Sequence, residues 1–262
     1  MEIHSYEIDL LETSNSINYL LKKIKENIAV KANIIGLLWA NYQRLATLNL
    51  FIVLPAPYNA KKNFYKSSKI TELRFMAAKG LLPNVYIDKP TIWGTLYKTI
   101  GVVLLSDSVP LLYSFFEVID DVGGDEVRKG YHYNTAYAIK YLVLGNREKS
   151  RHYLESVKKA PDRKKAKTEM GYSDVVEGIL DNNPELISLG IEKNLKYHHR
   201  CETGIFKAFC LEATAMVKLA KMYGFEVNTD SSYIHQGLLQ HDPDIIFEDI
   251  DEVYEALGII KT

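Results

Sequence analysis

The chain has 262 residues, of which 47% are hydrophobic and 25% are charged. These fractions are those of an ordinary folded protein and exclude a low-complexity, fibrous or wholly disordered chain. The 32 Lys and Arg residues balance the 33 Asp and Glu residues to a net charge of −1, so the chain lacks the basic field expected of a protein that tracks nucleic-acid phosphates.

The hydrophobic pattern is helical along almost the whole chain. Apolar residues recur every three or four positions from Ile17 to Ile28, which predicts a helix with its caps in 13–16. A second helix is predicted from Ile34 to Leu48, and the prolines after it predict a loop over 55–63. Further helices are predicted near 64–79, 91–105, 108–119, 132–144, 147–159, 163–181, 185–200, 204–223, 231–239 and 249–257. Residues 100–105 also suit a strand, but no segment alternates with a period of two, so we expect an all-α fold.

Residues 131–161 follow a repeat-like pattern. The small, aromatic, turn and terminating residues of a tetratricopeptide repeat would be Ala138, Tyr141, Gly145, Ser150, Leu154, Val157 and Pro161. Small residues at Ala138 and Ser150 let two antiparallel helices approach each other. A looser second pair is predicted around the turn at 181–184. We therefore expect a single helical domain over 1–262, an antiparallel helix-hairpin bundle with an N-terminal part at 1–126 and a tetratricopeptide-like part with a short C-terminal helix at 127–262.

The sequence lacks the motifs of the common catalytic, cofactor and metal sites. There is no GxSxG segment, no Gly-rich phosphate loop, no HExxH and no HxE followed by PCxxC. Cys201 and Cys210 lack the CxxC spacing of a zinc site and are predicted to be reduced, buried thiols. We therefore expect no catalytic residue, no cofactor and no metal.

One set of polar residues leaves an alternative open. Carboxylates and imidazoles that could meet as metal ligands are Glu117, Asp120, Asp121, His198, His199 and Glu202. No Glu-x-x-His pair accompanies them, and carboxylates also cap or end helices. An enzyme with a site around Glu117, Asp120, Asp121, His132 and His198 is the corresponding alternative function.

Candidate contacts with a partner protein lie at two helix ends. Tyr131 and His132 precede a ridge of tyrosines at 133, 137 and 141, and rings at a loop edge suit a protein interface. Tyr137 and Tyr141 of this ridge are expected to pack in the core. His198, His199 and Arg200 end a predicted helix, where they either complement the helix macrodipole or form a polar surface for a partner.

Charge is unevenly distributed along the chain. Residues 147–167 hold nine Lys or Arg and three acids, whereas residues 242–261 hold seven acids and one Lys. The acidic segment includes the candidate contacts Asp249, Asp251 and Glu252. Such a segment is either a solvated face or a surface that steers a basic partner.

A family resemblance is carried by residues 204–239. An Ala- and Leu-rich helix, the ending Tyr223-Gly224, the segment 225–227 and a short helix with Leu238-Leu239 resemble the C-terminal part of immunity protein family 49 of bacterial polymorphic toxin systems. The segments 144–146 and 197–200 are similar to the family's middle region, so the resemblance covers about 130–240. It implies an all-helical antitoxin that neutralises a cognate toxin protein by stoichiometric occlusion.

These observations predict a toxin-binding protein that has no nucleic-acid or membrane partner. The first residues lack the basic and apolar regions of a secretory signal, and no apolar run reaches the about 20 residues of a membrane helix. We therefore expect a cytoplasmic location. A tetratricopeptide-like adaptor that binds a peptide or protein is the alternative function.

Overall fold

The computed structural model describes residues 3–26, 31–51, 57–82, 85, 87, 96–119, 128–162, 170–227 and 230–259. These residues form twelve α-helices, one 3-10 helix and no strand, which confirms the predicted all-α fold. The helices are α1 (Ile3–Lys25), α2 (Lys31–Asn49), α3 (Pro57–Ala78), α4 (Leu96–Ser106), α5 (Val109–Val118), α6 (Tyr131–Val143), α7 (Arg147–Lys159), α8 (Met170–Asp181), α9 (Pro184–Cys201), the 3-10 helix (Gly204–Ala208), α10 (Leu211–Met222), α11 (Gln236–Leu239) and α12 (Asp251–Leu257). None of the described helices combines the length and the apolar character needed to cross a bilayer.

Several predicted boundaries are wrong in the N-terminal half. Helix α1 begins at Ile3, so Thr13 lies inside it, where its hydroxyl donates to the Asp9 carbonyl at 2.7 Å instead of capping a helix. Helix α3 begins at Pro57, because proline is tolerated in a first turn, and the loop predicted over 55–63 is therefore too long. Residues 100–105 are helical and buried on all sides, which explains why their pattern also suited a strand.

The long helix predicted over 204–223 is divided into two elements. The 3-10 helix ends at Ala208, and Phe209 and Cys210 are extended, with φ of −143° and −89°. Cys210 then serves as the N-cap of α10. Only 236–239 of the helix predicted over 231–239 is helical, and 91–95 and 163–169 of two other predictions lie outside the described residues.

Contacts within the chain define two compact units. The first unit comprises Met1–Asp88, Ser106–Asp120 and His241–Thr262, and the second comprises Lys89–Leu105 and Asp121–Gln240. This grouping differs from the predicted division at 126. Helix α12 packs against α1 and so belongs to the first unit, whereas α4 has Gly101 close to α8 and α10 and belongs to the second.

The first unit buries aromatic and aliphatic side chains between its helices. Helix α2 packs against α1 and α3, and α3 packs against α5. Phe75 and Phe115 are fully buried and meet edge to face with their ring centroids 5.9 Å apart. Burial of side chains of this size stabilises the unit by roughly 1.5–3 kcal/mol each.

The second unit is built from two successive helix hairpins. In the hairpin of α6 and α7, the Ser150 hydroxyl donates to the Ala138 carbonyl at 2.7 Å, which places the two small residues where the helices approach each other. Gly145, with φ of +75°, makes the turn between them in a conformation that favours glycine. Helix α8 packs on both α6 and α7, and α10 packs on α8 and α9.

Close contact between α8 and α9 depends on two glycines. A Cβ atom added at Gly190 would lie 2.5 Å from the Gly171 carbonyl oxygen, and one at Gly171 would collide with the Gly190 carbonyl and the Asn194 side chain. Both glycines are buried. The hairpin therefore requires glycine at both positions, and this approach holds the Asn194 face of α9 against α8.

Candidate functional site

The C-terminal end of α9 holds the candidate contacts at 198–200. The helix starts with Asn183 as N-cap, whose side chain accepts from the Leu186 N–H at 3.0 Å, and Pro184 follows in the first turn. Its last turn carries His198, His199 and Arg200, which suits the negative end of the macrodipole.

Consecutive residues at this helix end face in different directions. His198 is only 3% exposed, whereas His199 and Arg200 are exposed. Because successive α-helical side chains are about 100° apart, one end of the helix forms both a buried polar surface and a solvent-facing one. The side chain of His198 is therefore enclosed within the chain, which sequence alone did not indicate, and its contact with a partner stays a prediction.

The solvent-facing side of this helix end borders a groove of about 510 Å³. Its lining residues are Leu195, Lys196, His199, Arg200, Ser231 and Tyr233. Nδ1 of His199 and the Tyr233 hydroxyl share a hydrogen bond of 3.0 Å, and the Arg200 Nε–H donates to the Lys196 carbonyl at 3.3 Å. The groove therefore presents two cations, an imidazole and a phenol ring beside an apolar side chain.

The buried side of the same helix end meets the start of α10. His198, Cys210 and Glu212 bring one nitrogen, one sulfur and one carboxylate oxygen within 4.8 Å of one another. We call these three residues the His-Cys-Glu cluster. His198 and Cys210 are buried and Glu212 is partly exposed, so the cluster lies just beneath the surface.

His198 is oriented by the segment that follows α9. Its Nε2 lies 3.0 Å from the Lys207 carbonyl oxygen. A carbonyl oxygen only accepts, so Nε2 carries the ring proton, and in the neutral imidazole Nδ1 has the free lone pair. Among the described residues Nδ1 has no hydrogen-bond partner.

Cys210 is fixed by the backbone on both sides. Its N–H donates to the Tyr233 carbonyl at 2.8 Å, and its sulfur accepts from the Ala213 N–H at 3.4 Å as the N-cap of α10. Burial raises the pKa of the Cys210 thiol well above its ordinary value, and the neighbouring Glu212 carboxylate raises it further.

A small cavity of about 10 Å³ adjoins the cluster. It is lined by Asn194, Tyr197, His198, Glu202 and Glu212. Asn194 is 3% exposed, and neither its Oδ1 nor its Nδ2 has a hydrogen-bond partner in the described part of the chain. Buried amides are nearly always satisfied, so this one is unusual.

Tyr131 is placed inside the fold. It is 1% exposed, its hydroxyl shares a 2.9 Å hydrogen bond with Ser173, and its N–H donates to Asp162 at 2.8 Å. The ring of Tyr131 is therefore enclosed beside α8 rather than placed at a loop edge, and its contact with a partner stays a prediction. His132 is half-buried, and burial lowers its pKa while Asp162 opposes this effect.

The tyrosine ridge of α6 packs largely as predicted. Tyr133 and Tyr137 are buried and stack with centroids 4.2 Å apart, and Tyr153 of α7 stacks on Tyr141 at 5.4 Å. Tyr141 itself is half-buried. Core packing is thus confirmed for Tyr137, while Tyr141 closes the edge of the hairpin.

The acidic candidates lie in the first unit, at the start of α12. Asp251 is exposed in the first turn, and the Asp249 carboxylate accepts from the Ile250 N–H at 2.8 Å. Glu252 accepts from the Tyr42 hydroxyl at 3.3 Å; burial and this carboxylate raise the pKa of Tyr42. Glu252 therefore serves the packing of the unit, which sequence alone did not reveal.

The remaining candidate ligands and thiols are distributed differently from the prediction. Glu117 is exposed on α5 in the first unit, and Asp120 and Asp121 lie outside the described residues. Both cysteines are free, but Cys201 is exposed, so only Cys210 matches the prediction of a buried thiol. Residue 201 ends α9 on its solvent side.

Sequence reasoning missed Cys210 and Glu212 as neighbours of His198. The available signal was the Asn194 to His198 spacing of four, which places both on one face of α9. The chain reverses through the 3-10 helix and so returns residue 210 to that face. The hydrophobic pattern of the sequence did not indicate this reversal.

No match to this chain was found among family models, curated proteins or solved structures. The resemblance to immunity protein family 49 therefore stays a prediction.

Proposed function

We propose that this protein is an immunity protein that binds a cognate bacterial toxin and neutralises it by occlusion, without catalysing a reaction itself. The proposal starts from the resemblance over about 130–240. The groove beside α9 is the observation that carries it, since His199 and Arg200, two residues predicted to contact a partner, line an open and chemically mixed surface there.

The groove has the composition of a protein-binding surface. Arg and Tyr are the residue types that often dominate interface energies, and Arg200 and Tyr233 lie together here. Leu189 of α9 and Phe206 of the 3-10 helix are exposed apolar side chains of the same unit and would extend the contact area beyond the groove. A stable interface hides about 1,600 Å² in total, so the groove would be its centre rather than its whole extent. A segment of the toxin that fits this groove would carry a carboxylate next to an apolar side chain, because the groove presents cations beside Leu195.

The acidic segment of the first unit has a separate role in this proposal. The first unit holds 12 Lys or Arg and 17 acids, whereas the second holds 20 and 16, so their net charges are −5 and +4. Asp244, Glu248, Asp251 and Glu255 are exposed on the first unit and produce a negative field that speeds the encounter with a basic toxin. Asp249 and Glu252 add to this field while also serving the fold.

Co-expression with the product of the neighbouring reading frame tests the proposal. Cells that express the product alone should die, and cells that also express this chain should survive. The double substitution Arg200→Glu and Tyr233→Ala should abolish protection, while Lys221→Glu, which reverses an exposed cation on α10, should preserve it. A harmless product, a product that kills despite this chain, or full protection by the double variant would each contradict the proposal.

A tetratricopeptide-like adaptor is the second candidate, favoured by the successive hairpins of α6 with α7 and α8 with α9. Such an adaptor binds an extended peptide of a cellular partner. Affinity purification followed by competition separates the two candidates. Displacement of the captured partner by a short peptide from its own sequence supports the adaptor, whereas a folded partner that no such peptide displaces supports the antitoxin.

A further inference from the structure

We infer that His198, Cys210 and Glu212 form a binding site for a divalent transition metal, with zinc as the ion that suits the donors best. The cluster supplies one imidazole nitrogen, one thiolate sulfur and one carboxylate oxygen. Zinc accepts all three donor types in tetrahedral sites, whereas calcium and magnesium require oxygen ligands. The inference does not rest on the proposed toxin binding.

The spacing of the three donor atoms is close to that of a bound site. They lie within 4.8 Å of one another, and tetrahedral zinc holds a sulfur and a nitrogen ligand about 3.5 Å apart. Side-chain rotations that move the donor atoms by about 1 Å would bring them to these distances. Glu212 is the least buried of the three, so its side chain has the most room to rotate toward a bound ion.

His198 has the arrangement of a metal ligand. Its Nε2–H is held by the Lys207 carbonyl at 3.0 Å, which leaves the Nδ1 lone pair available to a metal, and Nδ1 has no hydrogen-bond partner in the described part of the chain. Metal-binding histidines commonly donate their other ring N–H to a carbonyl or carboxylate, which fixes the ring and its tautomer. A histidine that only filled the core would gain nothing from a buried, unpartnered nitrogen.

The neighbouring cavity supplies a fourth position. Its volume of about 10 Å³ is near the lower limit for one water molecule, and it lies between His198, Glu212 and Asn194. A water on the metal would use the Asn194 side-chain oxygen as hydrogen-bond acceptor. This would give a hydrogen bond to Asn194 Oδ1, which otherwise has no partner among the described residues.

N-capping alone does not account for Cys210. Ser, Asp and Asn cap helices better than other side chains, so a helix that needed only a cap would use one of them. The metal would join the end of α9 to the start of α10 and would fix the 3-10 helix between them. Its role is structural, and it supports the Tyr233 wall of the groove through the Cys210 N–H bond to the Tyr233 carbonyl.

Cobalt substitution provides the direct test. Tag-free protein titrated with Co²⁺ should develop a sulfur-to-cobalt charge-transfer band and the visible bands of tetrahedral cobalt at one equivalent, and Zn²⁺ should remove both. Cys210→Ser should lose the charge-transfer band, and Cys201→Ser should keep it. Serine is a good N-cap, so the Cys210 variant retains the helix start.

Histidine variants and thermal unfolding complete the test. His198→Gln should weaken Zn²⁺ binding at least tenfold, whereas His199→Gln should leave it within twofold. Saturating Zn²⁺ should raise the Tm of the wild-type chain by several degrees and that of the Cys210→Ser variant much less. A cobalt spectrum without a charge-transfer band, a band that persists in Cys210→Ser, or equal zinc affinity of the two histidine variants would overturn the inference.

Discussion

Both compact units bury a polar centre, but the two centres are satisfied differently. In the first unit the Lys61 ammonium lies 2.9 Å from the Asp107 carboxylate, and both side chains are at most 4% exposed. The same carboxylate accepts from the Asp242 N–H at 2.8 Å and contacts His241 at 3.1 Å. In the second unit, Asn194 and Nδ1 of His198 are equally buried, yet the described residues offer them no partner.

This difference separates a structural centre from a candidate ligand site. A buried charge that has an opposite charge and several hydrogen bonds needs nothing further, and it ties together the elements that carry it. A buried polar atom without a partner costs free energy unless a ligand satisfies it. The Lys61–Asp107 centre is therefore explained by folding alone, and the His-Cys-Glu cluster with Asn194 by the binding of an ion.

The largest effect is expected at the satisfied centre. Asp107→Asn keeps the side-chain shape and the tolerance for a φ of +67°, but it leaves the Lys61 ammonium buried without its counter-charge. We expect a loss of about 3–5 kcal/mol of unfolding free energy in urea. Asp181→Asn, which breaks the exposed pair with Arg151, should cost at most about 1 kcal/mol. Equal losses at both sites would show that burial does not distinguish them.

A smaller loss is expected where α8 and α9 approach each other. Gly171→Ala places a methyl group against the Gly190 carbonyl and Asn194 and should cost about 3 kcal/mol, because backbone must move. The control is Gly36→Ala in α2, where a methyl group meets nothing within 4 Å. That change should stabilise the chain by up to about 1 kcal/mol through helix propensity. A neutral Gly171 variant would contradict the close contact that holds the Asn194 face of α9.

The smallest effect is expected at the unsatisfied amide. Leucine has a volume similar to that of asparagine, and Asn194→Leu removes two polar atoms that have no partner among the described residues. In metal-free protein the unfolding free energy should therefore change by less than about 1 kcal/mol, or rise. Asn134→Leu is the matched control, because the Asn134 amide donates to the Gly130 carbonyl at 2.7 Å and to the Arg128 carbonyl at 3.1 Å. It should cost about 1–3 kcal/mol. A larger loss at Asn194 than at Asn134 would show that the Asn194 amide makes a stabilising hydrogen bond in the metal-free chain.

The helical fold was predictable because local periodicity determines it. The helix at 147–159 and the approach of Ala138 to Ser150 were found from spacing alone. Helix ends were less predictable. The Thr13 hydroxyl bonds back to its own helix instead of capping it, and Pro57 begins a helix instead of lying in a loop. Where a helix begins or ends depends on contacts with neighbouring elements, which the local sequence does not contain.

The candidate sites were only partly predictable. His199 and Arg200 are exposed at a groove, as expected of contact residues, but the pattern did not show that His198 faces inward. The His-Cys-Glu cluster depends on a 3-10 turn and on an extended Cys210, which place distant donors together by tertiary packing. Ligands of this kind have no fixed spacing, so a motif search does not detect them.

X-ray absorption at the zinc edge of the zinc-loaded chain identifies the donor atoms of the bound ion. Zinc bound at the His-Cys-Glu cluster should show one sulfur at about 2.3 Å and nitrogen and oxygen ligands at about 2.0–2.2 Å, with the sulfur lost in Cys210→Ser and retained in Cys201→Ser. A zinc shell made only of nitrogen and oxygen in the wild-type chain would contradict binding at this cluster.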